Sequence, residues 1–400
     1  MKRTALFILI SLYSFVARAQ INRDSCTMEI SLLTCSPGTD LYSLFGHTGI
    51  RVKDLQRGMD IVYNYGTFDD SDPLFYVRFT RGIMLYSLSA ETINDFMSEY
   101  DYEHRSVVAQ VLNLTCAEKN QLYESLRKNT LDENRFYQYH FHTDNCTTRA
   151  AKIIESNTNE QFLYKNILPV PGPSFRDMIH EYLNRQHQYW SEFGIDMFLG
   201  RNLDIKPTNT EAIHFLPDYL YKGMDSALAG SKPLVREKKL LLQYPPVQSK
   251  TLSLTPAVVF SCLLFITIVL MIFRERPAVT KTLIIFDVIF FSLLGMVGVI
   301  MAYLWLGRID NVCSNNMNIL WALPTHLFAV FFVRKKSPWI KYYFLVTAVL
   351  ATLLLTGFPW WPQRMNTGVV PVLLIIIFRG FILFQNHVKK SVFQRRAAAI

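Results

Sequence analysis

The stretch FHTDNCTTRA, residues 141–150, places a single cysteine, Cys146, between acidic and amide residues and a run that reads as the opening of a helix. With Asp144 as the N-cap, Cys146 falls on the second helical position. The positive end of the helix dipole there favours a thiolate over a thiol. The backbone N–H groups that follow are free at a helix start and suit a developing oxyanion. The chemistry these residues fit is nucleophilic attack on a carbonyl. The competing reading is a small buried cysteine with a structural role.

A cysteine nucleophile needs a base and often a group that orients it. His47, in SLFGHTGIRV, opens an alternating strand that sets Thr48, Ile50 and Val52 on one face and His47 on the other. The next strand ends in VYNYGTF. A hairpin loop over Asp54–Arg57 places Asn64 opposite His47, where an amide could hold the imidazole; a change of one residue in that loop removes the pairing. Tyr63, Tyr65, Asp69 and Asp144 are alternative orienters. His140 and His142 lie nearer to Cys146 in sequence and share one face of an extended run, so they rival His47 as base. Together with Cys146 they also form the metal-like pattern HxHxxxC, which lacks a fourth ligand.

These residues need a scaffold, and the chain is long enough for more than one domain: 400 residues, 50% hydrophobic and 18% charged. Residues 20–245 read as a soluble α+β region. Strand-like runs come first (HTGIRV, DIVYNYGTF, VVAQVLNLT) and helical runs follow (AEKNQLYESLRKNT, CTTRAAKIIES). A Pro- and Ser-bearing linker over 246–255 leads to five apolar stretches, 256–273, 283–306, 317–333, 342–358 and 368–384, each suited to a tilted membrane helix. The N-terminus carries Lys2 and Arg3, an apolar run from Ala5 to Val16, and an Ala17-Arg18-Ala19 site, the pattern of a signal peptide over 1–19.

The charge follows the same division. Of 41 basic and 32 acidic residues, 14 and 3 lie from Arg274 onward, so the net +9 belongs to the C-terminal third. This balance beside apolar runs reads as membrane topology, not as nucleic-acid binding. The loops RERPAVTK and RKKSPWIK and the tail HVKKSVFQRR are basic, whereas GRIDNVCSNNMN and PWWPQRMNTG are not. The positive-inside rule then gives five crossings of the inner (cytoplasmic) membrane, an outer N-terminal domain and a cytoplasmic C-terminus. Outside the cytoplasm disulfides persist, and Cys26 with Cys35 is the easiest pair to draw, although sequence does not fix it. Within the apolar runs, Asp287 lies about one turn from a cytoplasmic end and is expected to reach water. Arg379 is expected to snorkel. His326 lies deeper and is either a functional group or a neutral histidine bonded to a neighbouring helix.

A Gly-His-x-Gly-Ile strand ahead of an Asn-Cys helix resembles the circularly permuted papain-like proteins, the NlpC-like and lecithin–retinol acyltransferase groups. More specifically, the chain resembles the Lnb family of lipoprotein N-acyltransferases. The resemblance rests on Gly46-His47, YNYGTF (63–68), RFTRG (78–82) with Tyr86, VLNLT (111–115), DNCTTRA (144–150), SFRD (174–177), HFLPDYL (214–220) and NILWALP (318–324). It implies an α+β, circularly permuted papain-like periplasmic domain followed by a five-helix transmembrane bundle. It also implies a ping-pong reaction in which Cys146, with His47 as base, takes an acyl chain from a membrane phospholipid; Asn64 is the candidate third member from the strand register. A diacylated lipoprotein is the implied acceptor, through its α-amino group. Arg149, Arg78, Tyr65 and His326 are candidate substrate contacts; no metal or cofactor is called for. Two other readings are a membrane-anchored papain-like hydrolase, such as a cell-wall peptidase or lipid thioesterase, and a non-enzymatic receptor or assembly factor.

Overall fold

The computed structural model describes residues 26–40, 42–68, 73–246, 254–333 and 338–397; the expected signal peptide and Asp69 lie outside the described residues. The first half is built on an antiparallel sheet of seven strands. In chain order these are β1 (Glu29–Cys35), β2 (His47–Asp54), β3 (Met59–Thr67), β4 (Leu85–Thr92), β5 (Val107–Leu112), β6 (Phe136–Gln138) and β10 (Val235–Leu242). Their spatial order is β10-β5-β1-β2-β3-β4-β6. A separate small sheet joins β7 (Phe162–Leu163), β8 (Leu228–Ala229) and β9 (Lys232–Pro233).

β1 is central and buried on both faces, which is why EISLLTC is apolar without a strict alternation. Ile30 and Leu32 join Ile50, Val52, Tyr63 and Tyr65 under α3 (Cys116–Asn129) and α4 (Cys146–Ser156). Leu33 and Cys35 turn the other way, with Val62 and Ala109, against Phe96 and Tyr100 of α2 (Ile93–Tyr102). The short α1 (Phe75–Thr80) connects β3 to β4. A disulfide joins Cys26 to Cys116 on the first turn of α3, while Cys35 is a buried free thiol. The Cys26–Cys35 expectation fails on geometry, because the two cysteines lie at opposite ends of β1, nine residues of near-extended chain or ~30 Å apart.

After the sheet come α5 (Phe175–Arg185), α6 (Tyr189–Phe198), α7 (Asn209–Phe215) and α8 (Pro217–Ser226), and then the apolar helices α9 (Pro256–Ile272) and α10 (Pro277–Gly307). The third apolar stretch, expected to be a helix, is broken. It forms a 3-10 turn (Met317–Leu320), the single turn α11 (His326–Ala329) and another 3-10 turn (Val330–Phe332). Pro324 supplies no N–H and disfavours helical geometry at the residue before it. The segment also packs directly on the backbone of α10: a Cβ at Gly298 would lie 1.9 Å from the Ala322 carbonyl oxygen. The last two helices are α12 (Pro338–Thr356) and α13 (Val369–Ala397). Asp287 and Arg379, expected to reach water separately, instead form a buried bidentate pair at 2.7 Å for each bond, between α10 and α13.

α6 joins the two halves. A helix leaves its last carbonyls unpaired, and here amides from the apolar half satisfy them. Asn316 Nδ2 donates to the carbonyls of Met197 (2.8 Å) and Phe198 (3.1 Å), Asn318 Nδ2 to that of Asp196 (2.9 Å), and Gln363 Nε2 to that of Leu199 (3.2 Å). From the other side, the buried Arg176 guanidinium binds the carboxylates of Asp196 and Asp204, each at 2.9 Å. Trp190 of α6 donates to the Leu254 carbonyl just ahead of α9, at 2.9 Å.

Candidate active site

α4 starts with a capping box. Asn145 Oδ1 accepts the Thr148 N–H at 2.9 Å, and Thr148 Oγ1 accepts the Asn145 N–H at 2.6 Å. Asn145, not Asp144, is therefore the N-cap, and Cys146 is the first helical residue instead of the second. Asn145 Nδ2 also donates to the carbonyls of Phe141 (2.8 Å) and Phe215 (2.9 Å), which fixes the helix start in the core. No described hydrogen bond uses the N–H groups of Cys146 and Thr147.

The sheet opens where Cys146 arrives. The β2–β3 ladder runs from Asp54↔Met59 to Ile50↔Tyr63 and stops there. β2 continues to His47 along β1, and β3 continues to Thr67 along β4. Gly66 borders this split with φ +97°, and a Cβ there would lie 3.6 Å from Cys146 Cβ and 3.7 Å from His47 Cε1. The thiol and the imidazole thus meet beside one glycine.

His47 Nε2 lies 2.5 Å from Asn64 Oδ1. An amide oxygen only accepts, so Nε2 carries the proton and Nδ1 is left for the sulfur. Asn64 Nδ2 donates in turn to Glu91 Oε1 at 3.2 Å. Burial disfavours the Cys146 thiolate, but the charge and hydrogen bond of His47, the Thr48 backbone and the Thr147 hydroxyl together hold its pKa below the ordinary thiol value. Burial likewise opposes the imidazolium, yet Cys146 and Asn64 raise the His47 pKa above its ordinary value. The two shifts favour a thiolate–imidazolium pair.

The register differs from expectation by two residues. Asp54 pairs with Met59 across a turn closed by Gly58 in the left-handed region (φ 63°). Continued to the strand ends, this register sets Gly49 across from Asn64. A shift of two keeps the face, so Asn64 still reaches His47 along the diagonal. Tyr63 and Tyr65 turn to the opposite, helix-covered face, and Asp144 is bound by Arg149. Glu91, not foreseen, lies opposite Val62 on β4; the alternating polar residues Ser87, Ser89 and Glu91 are the signal that marks that face.

Comparison with protein families gives two matches: the Lnb N-terminal periplasmic domain over residues 16–185 and the Lnb transmembrane domain over residues 247–391. The chain belongs to the Lnb family. Comparison with curated proteins and with solved structures gives no match. The Lnb domains make this a membrane protein with a periplasmic domain, in a lipoprotein N-acyltransferase-like role. Cys146, His47, Asn64 and Glu91 all lie in the periplasmic match; α6, which holds the halves together, lies between the two matches.

The remaining expected residues of this Lnb chain are dispersed. Arg149 gives Nε and Nη2 to Asp144 (2.8 and 2.6 Å) and stacks on Tyr137, 3.6 Å from the ring centroid, so that edge of its fork is committed within the fold. Tyr65 is a core residue whose hydroxyl accepts from Asn129 Nδ2 at 3.0 Å. Arg78 is exposed on α1. His326 is buried in the transmembrane half, where Nδ1 accepts from Tyr343 at 2.8 Å and Nε2 lies 3.3 Å from the Trp321 carbonyl, as in a neutral bonded histidine. His140 is tied to Asp144 through the backbone, and His142 packs on Phe175 at 5.8 Å between centroids; neither converges with Cys146. The one group of possible metal ligands among the described residues is His180, Glu192 and Asp196, and there Asp196 is already ion-paired with Arg176.

Proposed function

We propose that this protein moves an acyl chain from a membrane phospholipid to the α-amino group of a diacylglyceryl-cysteine lipoprotein, through a thioester on Cys146. The observation that carries the reading is Cys146 at a capped helix start, inside a split sheet, against an imidazole whose far nitrogen is held by Asn64. His47 takes the thiol proton, and the thiolate adds to the ester carbonyl. The resulting oxyanion lies within reach of the N–H groups at the start of α4. Collapse breaks the ester C–O bond, and His47 returns its proton to the departing lysophospholipid alcohol. The lipoprotein amine then attacks the thioester, loses a proton to His47 and expels the Cys146 thiolate, which restores the starting state.

The test uses purified protein in phospholipid vesicles. A thioester cleaved by neutral hydroxylamine is expected on Cys146. A diacylated lipopeptide with a free amino terminus should discharge it and gain the mass of one acyl group, while an N-acetylated lipopeptide should not. Release of free fatty acid alone, at a rate the lipopeptide leaves unchanged, replaces the transferase with the hydrolase.

We further propose a periplasmic catalytic domain over 20–245, a linker over 246–255 and a membrane domain over 256–400 with five passes of the inner membrane and a cytoplasmic C-terminus. Supporting this, Leu254, the 308–318 segment and the 363–366 loop all bond to the periplasmic domain, so these connections share its side. The broken third stretch then descends between α10 and α12. Reporter fusions after Arg308 should read periplasmic, and fusions after Arg276 and Arg396 cytoplasmic; a periplasmic signal after Arg276 ends the five-pass reading.

A further inference from the structure

α1 is six residues long, FYVRFT, and much of it faces outward: Tyr76 is 77% exposed, and Val77 and Phe79 are also exposed. A short apolar helix left open on a water-soluble domain needs a reason. Its position supplies one, because α1 is latched to the periplasmic end of the membrane helix α10. Arg308 donates to the Phe79 carbonyl at 2.7 Å, the Ile309 N–H to the Arg81 carbonyl at 3.1 Å, and the Thr80 and Tyr303 hydroxyls meet at 3.3 Å. Gly82 makes the latch close-fitting: a Cβ there would lie 2.9 Å from the Asp310 carboxylate, which itself pairs with Arg308. On the α10 side of the latch, Leu306 is 85% exposed. Exposed apolar side chains of α10 and of α1 thus occur at the same end of α10, on the two sides of the latch.

A second feature starts from the same helix. Aromatic rings run inward from it in series: Phe79 to Phe75 (6.4 Å between centroids), Phe75 to Phe68 (5.5 Å), Phe68 to Tyr86 (5.2 Å) and Tyr86 to Tyr139 (4.3 Å). Tyr86 and Tyr139 pack, like Cys146, at the edge of the same core cluster. Burial chiefly, and then the nearby Cys146 charge, push the Tyr86 phenol up to about 12, so the series ends within electrostatic reach of the nucleophile. Rings with flat apolar faces suit a flexible hydrocarbon chain, which needs contact area more than directed bonds.

We infer that α1 lies in the outer leaflet of the bilayer through Tyr76, Val77 and Phe79, and that the Phe75–Phe68–Tyr86–Tyr139 series guides the donor acyl chain from there to Cys146. The occupant is the hydrocarbon of a membrane phospholipid, because the surface is apolar and latched to the end of a membrane-spanning helix. This rests on the reading of Cys146 as the acyl acceptor and adds the route by which the chain arrives.

Two measurements on the full-length protein in phosphatidylethanolamine–phosphatidylglycerol vesicles test it. In the first, Tyr76→p-benzoylphenylalanine should crosslink to phospholipid on irradiation. The same replacement at Leu55, which is 73% exposed at the far end of the β2–β3 hairpin, should not. No crosslink at position 76, or equal crosslinking at both positions, overturns the surface. In the second, Val77→Asp and Phe68→Ala should each slow acylation of Cys146 from vesicle phospholipid by about ten-fold, the worth of one buried apolar side chain. Both should acylate at the wild-type rate from a water-soluble butyryl ester. Equal slowing with both donors, or none with vesicles, overturns the route. If neither donor acylates wild-type Cys146, the proposed reaction falls, and the crosslink alone decides whether α1 meets lipid.

Discussion

Alkylation of Cys146 at neutral pH slows in His47→Ala, on the order of ten-fold, because the thiolate fraction falls as the thiol pKa rises. The sign follows from the two shifts. Burial raises the Cys146 pKa and the His47 charge and hydrogen bond do most to lower it; without the imidazole only the Thr48 backbone and the Thr147 hydroxyl oppose burial, so the thiol pKa rises. Acyl transfer should fall further than alkylation, by roughly 10²–10⁴-fold, because His47 also protonates the leaving alcohol. Cys146→Ala should abolish transfer. Cys146→Ser should come close to doing so, since a hydroxyl is not ionised at neutral pH. The pH profile of transfer is a bell: activity is lost as pH falls through the depressed thiol value and as it rises through the raised imidazole value. Asn64→Ala, which frees the imidazole to rotate, should narrow that bell from the alkaline side, because Asn64 helps raise the His47 pKa. An alkylation rate in His47→Ala equal to wild type, measured by intact mass after timed quenching, would separate Cys146 from His47 and return the base to His140 or His142.

The placement of Cys146 at a helix start and of His47 at a strand start was legible because their surroundings carry a local code. A capping pattern followed by Thr-Thr-Arg-Ala-Ala marks a helix start, and Gly-His before an alternating run marks a strand start. Local codes err by small steps, and here the steps did little harm. The cap moved from Asp144 to Asn145, and the hairpin moved by two residues, an even shift that leaves every side chain on its face. What stayed illegible depends on where the chain returns to in space. Cys26 bonds to Cys116 across a sequence separation of 90 because β1 and β5 are neighbours, a fact of topology that no spacing encodes. The same holds for Glu91 behind Asn64, and for the amides of Asn316, Asn318 and Gln363 that cap α6. Hydropathy marked the third apolar stretch correctly as apolar but says little about helical continuity. Pro324 and the close approach to Gly298 decide that instead.

The membrane half offers the other large effect. Asp287 and Arg379 are almost completely buried, and their bidentate pair spans α10 and α13. Removing one partner leaves the other charge enclosed by apolar side chains, and such a break costs about 3–5 kcal/mol in buried pairs of soluble proteins. Asp287→Leu and Arg379→Leu should therefore each lower the amount of folded protein in the membrane and the midpoint of thermal unfolding in detergent. The double substitution behaves differently. It removes both desolvation costs along with the attraction, and a buried pair replaced by apolar residues of similar volume is often neutral or better. Asp287→Leu with Arg379→Leu should recover most of the wild-type midpoint, and acyl transfer should return with it, since neither residue touches the Cys146 site. If instead the double variant is folded but inactive, the pair acts in the reaction cycle as well as in assembly. If it is no more stable than the worse single variant, the two residues are not each other's main partners, and the bonds between α10 and α13 need to be assigned again.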